Sequence, residues 1–221
     1  MMFWKKRVLP YQLNTHPPLN TPLREISFTV FDTETTGFAV GRKDRLIEIG
    51  AVQVEALTLT DKTFRTYVNP ERNIPREITE LTGIQAEDVE RAPTALEAIE
   101  NFFQFVEKQK STVWAGHYVA FDLLVLKKEL QRYKYAFDAP SQIDTLDMIG
   151  YLNPTWDMKD LSYYAREFGA NMFERHSALG DARTTASLLI ELIHILEHRG
   201  KRTLGDLLDI LRKENGTKTM M

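Results

Sequence analysis

Ile26-Ser27-Phe28-Thr29-Val30-Phe31-Asp32-Thr33-Glu34-Thr35-Thr36-Gly37 starts apolar and ends on two acids, three threonines and a glycine. The apolar part predicts a buried strand over 26–31, and the acids fall where that strand runs out. Side chains of an extended chain alternate between faces, so Asp32 and Glu34 share one face and Thr33 points to the other. Two carboxylates on one face repel, and one tends to take up a proton unless a hard divalent cation holds both. Gly37 lets the chain turn and a ligand approach the backbone. Taken alone, these residues are equally compatible with a solvated acid pair ahead of an ordinary turn.

Two further constellations decide between these readings. Gly116-His117-Tyr118-Val119-Ala120-Phe121-Asp122 follows a short apolar strand, Thr112 to Ala115, and leads into a helix expected from Leu123 to Arg132. Asp122 is thus a carboxylate at a strand-to-helix junction. His176-Ser177-Ala178-Leu179-Gly180-Asp181-Ala182 opens a long apolar-periodic helix running to about His198. His176 is expected in the loop before it and Asp181 in its first turns, where the positive helix end favours an anion. Four carboxylates and one histidine therefore gather at element ends, in the order a metal-carboxylate hydrolase needs.

With these three motifs the chain resembles the DEDDh exonucleases, the DnaQ-like family that includes the proofreading epsilon subunit of bacterial DNA polymerase III. The resemblance runs from Ile26 to about Arg199. FDTETTG at 31–37, GHYVAFD at 116–122 and HSALGDA at 176–182 match the family's motifs in order. The five-residue step from His176 to Asp181 marks the histidine branch. Asp44 to Val52 looks like the family's second strand and Leu81-Thr82-Gly83-Ile84 like its substrate-side turn. One position departs: the second motif usually reads GHN, and Tyr118 stands in place of the asparagine.

The resemblance implies an α/β fold, a ribonuclease H-like mixed sheet flanked by helices on both faces. It implies two divalent cations, Mg²⁺ or Mn²⁺, held by Asp32, Glu34, Asp122 and Asp181, with Asp32 bridging. His176 is then the general base for the attacking water, a role suited to imidazole because its ordinary titration lies near neutrality. Thr35, Thr36, Gly37, Leu81, Thr82 and His117 are expected on the substrate side, where His117 reads as a packed histidine oriented by a backbone hydrogen bond. The expected activity is 3'-5' hydrolysis of single-stranded nucleic acid ends to nucleoside 5'-monophosphates, with DNA placed ahead of RNA. An RNA-trimming exoribonuclease is the alternative. The intact acid and histidine set argues against a silent binding domain. A polymerase subunit is the expected partner for any proofreading role.

Composition agrees with a globular protein. The chain has 221 residues, 43% hydrophobic, and a net charge of -3, so neutralising a long duplex by a basic face is excluded as its main mode. There are no cysteines, hence neither disulfides nor thiolate sites, which fits a cytoplasmic protein. No apolar stretch is long enough for a membrane span, and the start, with Lys5, Lys6 and Arg7 followed by Pro10, does not read as a signal peptide. Three segments are expected: a proline-bearing extension over 1–25, docked through Phe3 and Trp4 or disordered; an exonuclease domain over 26–200; and a C-terminal helix, Leu204 to Leu211, with a polar tail over 201–221.

The remaining pattern predicts a third strand at Thr63 to Val68 and helices at Arg76–Leu81, Thr94–Lys108, Leu146–Tyr151 and Leu161–Phe168. Leu96, Ile99, Phe102, Phe103 and Val106 form a core stripe at helical spacing. Asp144 is read as a helix N-cap, and Asp157 and Asp160 as first-turn acids. His194 and His198 lack a third ligand nearby and are read as surface or core. Lys127, Lys128, Arg132 and Lys134 are read as a solvated helix face or the border of a strand path.

Overall fold

The computed structural model describes residues 7–13 and 16–210. Phe3, Trp4, Leu211 and the polar tail lie outside the described residues. A five-stranded sheet forms the centre, with spatial order β4 (Thr58–Tyr67), β3 (Leu46–Glu55), β2 (Phe28–Thr35), β5 (Val113–Gly116) and β7 (Gln142–Asp144). β2 and β3 run antiparallel, as do β3 and β4, while β5 lies parallel to β2 and β7 parallel to β5. The expected meander and the mixed sheet are both present. A separate pair, β1 (Arg7–Val8) and β6 (Tyr135–Ala136), lies apart from it.

The strand expected over 26–31 is instead longer and shifted. Ile26 caps a short 3-10 turn, Leu23–Glu25, and β2 continues through Asp32 and Glu34 to Thr35. Its partner β3 keeps the ladder intact that far, pairing Asp32 with Gly50 and Glu34 with Glu48, and register slips only between Glu34 and Thr35. The acids are therefore fixed by ladder hydrogen bonds rather than hanging from a strand end. β3 starts later than expected, because Asp44 and Arg45 are used to anchor the preceding loop.

Alternation divides the core. Phe28 and Val30 of β2, with Val52 and Val54 of β3, face the layer of α5 (Thr145–Leu152), α6 (Leu161–Glu167) and α7 (Ala178–His198). Phe31 of β2 and Ile49 and Ala51 of β3 face α3 (Ala95–Lys108) and α4 (Val119–Arg132). Phe102 and Phe103 are buried beside Trp114, so the expected core stripe of α3 is core. Fully burying each such side chain contributes about 1.5–3 kcal/mol, which makes the one-residue register of β2 energetically unambiguous. Two short helices, α1 (Arg76–Thr82) and α2 (Ala86–Glu90), follow β4; α2 has no counterpart in the predicted elements.

Both flanking segments pack on this body. Leu9 and Leu13 are buried in the α3–α4 core, and Leu204, Leu207 and Ile210 of the helical stretch 204–210 are buried in the other. Pro22 bridges Thr203, joining the two flanks.

α7 crosses the sheet at unusually close range. A Cβ on Gly50 would lie 2.1 Å from the backbone nitrogen of Leu179, and one on Gly180 would lie 1.8 Å from the carbonyl oxygen of Glu174. Backbone cannot give way as a flexible side chain can, so glycine at 50 sets the height of the start of α7 over Asp32. Gly50→Ala should cost at least about 1–3 kcal/mol by overpacking, lowering the melting temperature by roughly 2–4 °C for each kcal/mol. An unchanged thermal melt would refute this packing account.

Candidate active site

Asp32 and Glu34 project from the face of β2 that looks toward α7, where Asp181 sits in the first turn. One carboxylate oxygen from each of the three lies within 4.8 Å of the others. Asp122 arrives from the opposite side of the sheet, in the first turn of α4 rather than just before a helix. Its Oδ1 accepts from the backbone N–H of Thr33 at 2.9 Å and from Thr33 Oγ1 at 2.6 Å. Thr33, on the other face of β2 as alternation requires, thus pins the fourth acid behind the first three. His176 lines the same cleft in left-handed backbone (φ 59°), its N–H donating to Asp181 Oδ2 at 3.2 Å. All five predicted residues line one cleft of about 220 Å³.

The substrate-side residues divide. Thr35, Gly37, Leu81, Thr82 and His117 line the cleft, together with Ile78, Phe38 and Phe121. Thr36 does not: it is buried, and its hydroxyl accepts from Arg45 N–H at 3.0 Å and reaches Asp44 Oδ1 at 3.4 Å. It closes the 36–45 loop from within, so its side chain is turned away from the cleft that Thr35 and Gly37 line. Asp44 is the post under that loop, accepting from Ala39 N–H at 2.9 Å and pairing with Arg72 at 3.0 Å. His117 Nδ1 pairs with the Thr145 hydroxyl at 2.8 Å, not with the backbone as expected.

The electrostatics follow from this crowding. Burial, then the neighbouring Asp122, Glu34 and Asp181, push the Asp32 carboxyl well above its ordinary range. Burial, then Asp181, Glu48 and Asp122, push Glu34 up to about 8. Burial raises Asp122 to about 7 against the opposing Thr33 hydrogen bonds, and raises Asp181 against the pull of Arg175. His117 is lowered to about 4, mainly by burial, and stays neutral. Arg175, one residue before His176, forms an ion pair with Asp181 Oδ1, and its charge also favours ionised Asp32 and Glu34. Sequence reading missed it, because nothing in its spacing distinguishes it from a surface arginine.

Glu48 was also unmarked. Fully buried, it accepts from Arg65 Nε at 2.5 Å through one oxygen and from Ala178 N–H at 2.9 Å through the other. It satisfies an amide at the start of α7 that the N-cap Ser177 side chain leaves alone. The helix carrying Asp181 is thus tied to the strand position opposite Glu34.

Asp144 caps α5 as expected, accepting from Leu146 N–H at 2.9 Å. It also accepts from the N–H groups of Tyr118 at 2.9 Å and Val119 at 3.0 Å, so one carboxylate caps two helices. Asp160 is an N-cap rather than a first-turn acid, and Asp157 precedes α6 outside any helix. His198 Nδ1 pairs with the carbonyl of His194, which leaves the two histidines surface residues of one helix. Arg132 holds the 40–44 loop through the carbonyls of Val40 and Asp44.

Known proteins share this sequence pattern and fold. The family model RNase_T, described as exonuclease, matches residues 29–189. A DNA polymerase III of PolC type from Clostridium perfringens is 37% identical over 162 residues, covering 73% of this chain and 11% of that protein. A DNA polymerase III subunit epsilon-like protein from Rhodobacter capsulatus is 34% identical over 196 residues, covering 87% of this chain and 27% of that one. The chain therefore spans only 11% and 27% of these relatives' lengths. Exonuclease X, solved in complex with 5' overhanging duplex DNA, shares the fold at a TM-score of 0.64 and 20% identity over 83% of this chain and 99% of that one. The chain belongs to the RNase_T exonuclease family, in its DnaQ-like group, and its sheet and helix layers are ribonuclease H-like. Members of this family use divalent metal ions.

Without divalent ions, the clustered acids should make stability fall with pH. A glutamate with an ordinary value near 4.5 that is held at about 8 keeps a proton in the folded chain that the unfolded chain has released. Folding then binds protons across that window, and stability drops as pH rises through it. His117 acts oppositely, but only between its lowered value near 4 and the ordinary 6.5. The melting temperature of metal-free protein should therefore decline between 6.5 and about 8, and Glu34→Gln should flatten the decline. A rise over that window in wild type, or an unchanged slope in Glu34→Gln, would contradict the account.

Proposed function

We propose that this domain hydrolyses single-stranded DNA stepwise from its 3' end, releasing nucleoside 5'-monophosphates with the help of two divalent cations. The observation that carries the reading is the meeting of Asp32, Glu34 and Asp181 oxygens within 4.8 Å in an open cleft bordered by His176. The donor set fits the ions. Every candidate ligand is a hard carboxylate oxygen, which suits Mg²⁺ or Mn²⁺ better than zinc. Asp32, Glu34 and Asp181 would hold the ions, with Asp122 behind them as the fourth carboxylate. The bound ions would supply an activated nucleophile and neutralise charge developing on the departing oxygen.

The chain's own groups account for the rest. His176 takes the proton of the attacking water, and the bond between phosphorus and the 3' oxygen of the preceding nucleotide breaks. The phosphate stays with the released nucleotide as its 5'-monophosphate. Ile78, Leu81 and the Phe38–Phe121 pair, with ring centroids 5.8 Å apart, give apolar walls to the terminal base and exclude water beside it. Thr35, whose hydroxyl donates to the Gly37 carbonyl at 2.8 Å, fixes the backbone against which the terminal 3' hydroxyl rests. DNA is preferred to RNA because the relatives are DNA polymerase III chains, and we place the domain in the cytoplasm, beside a replicative polymerase.

Asp32→Ala should abolish cleavage of a 5'-labelled single strand, while His176→Ala should lose about 10²–10⁴ in rate with its fold intact. Wild type should shorten the labelled strand from the far end, spare circular single strands, and yield only 5'-monophosphates by chromatography. Faster digestion of a matched RNA strand would reassign the substrate. Nicking of circles, 3'-monophosphate products, or Asp32→Ala activity above about a tenth of wild type would overturn the mechanism.

A further inference from the structure

A second groove, about 420 Å³, continues from the cleft, and Tyr118 belongs to both. Its walls come from α5 (Leu146, Ile149), from the loop after α5 (Trp156, Met158) and from Tyr164 of α6. Tyr118 has left-handed backbone (φ 62°), a conformation that suits asparagine far better than a bulky aromatic residue. Asp144 holds that backbone by accepting from the N–H groups of residues 118 and 119. The anchored ring is left 58% exposed at the junction of the two spaces.

Trp156 is built in the same manner. Its indole lies parallel to the Tyr164 ring within 7°, centroids 6.5 Å apart, and is flanked by Tyr163 and Phe168. It is nevertheless 40% exposed, and Met158 beside it is 70% exposed. An indole backed by three rings and open in front is a rigid flat surface with little left to order on binding. Such surfaces take nucleic acid bases, whose flat faces stack on aromatic rings whatever the sequence. The carboxylate of Asp144 is spent on three backbone N–H donors, and Asp147 adds a second acid at the groove. This lining would repel phosphates and accept apolar base faces, so bases should point inward and the backbone outward.

We propose that this groove binds the unpaired bases upstream of the 3'-terminal nucleotide, with Tyr118 at the turn and Trp156 as the stacking platform. The proposal rests on the 3'-end reading of the cleft and extends it by assigning Tyr118 and Trp156 of this second groove to the upstream bases.

The test compares two substrates in Mn²⁺, thymidine 5'-(p-nitrophenyl phosphate), which fills the cleft alone, and a single-stranded decathymidylate, which reaches the groove. Trp156→Leu keeps an apolar filler; Met158→Glu changes an exposed side chain that packs no core and guards against a folding artefact in the first variant. Both should leave hydrolysis of the small ester unchanged. Both should raise KM for the decanucleotide about tenfold, the loss expected of one base stack, with kcat retained. For Trp156→Leu the ratio should change little with salt, because stacking releases few counterions. A KM for the decanucleotide equal to wild type in both variants would overturn the proposal and leave the groove to another occupant, such as a protein. Equal losses on both substrates would overturn it as well. Wild type inactive on both would remove the cleft reading itself, and this inference with it.

Discussion

The structure depends on forcing mutually repelling carboxylates together at the junction of a strand and two helices. Asp32 and Glu34 are two residues apart on one ladder-locked strand, Asp181 is brought over them by α7, and Asp122 is pinned behind by Thr33. Burial opposes ionisation of all four, and repulsion from neighbouring acids adds to it at Asp32, Glu34 and Asp122. Such a cluster costs folding free energy unless protons or cations answer it. The scaffold supplies rigidity to resist it: buried Glu48 tying α7 to β3, glycine at 50 admitting the helix backbone, and Asp144 capping two helices at once. Arg175 supplies one positive charge, short of what four acids require. The remaining deficit is the physical reason to expect divalent ions.

How far the site was legible follows from the range of each interaction. The Asp32–Glu34 pair came from a period of two, and the His176 to Asp181 step from a single helix start; both are local signals, and both groups line the cleft. The strand end lies later than the apolar run indicates because Asp and Glu are depleted in strands, while the β3 ladder that extends β2 to Thr35 involves residues far along the chain. Sequence context groups Thr36 with Thr35 and Gly37, yet the loop turns its hydroxyl onto Arg45 and Asp44. Glu48 reaches an amide 130 residues away, and Asp144, beyond its expected cap of α5, reaches two that lie 25 and 26 residues away, where no spacing rule applies.

Tyr118 shows how a departure from a family pattern becomes intelligible through backbone. The position is left-handed and caps α4, two demands that asparagine meets through its own side chain. Tyrosine meets neither, and no side-chain cap forms there. The Asp144 carboxylate performs the capping instead, which frees residue 118 to present an aromatic ring. Loss of a local device is offset by a tertiary one, and the exchange places a ring at the mouth of the second groove.

The central claim, that cation binding relieves the carboxylate cluster, is tested most directly by calorimetric titration of metal-free protein with Mn²⁺ at neutral pH in buffers of different ionisation enthalpy. Because Glu34 is held up to about 8 and Asp122 to about 7, the metal-free cluster carries protons that ions must displace. The account predicts saturable binding accompanied by proton release, with the released protons reduced in Glu34→Gln and binding lost in Asp32→Asn. Heats that are independent of the buffer, or Mn²⁺ affinity unchanged by Asp32→Asn, would contradict it.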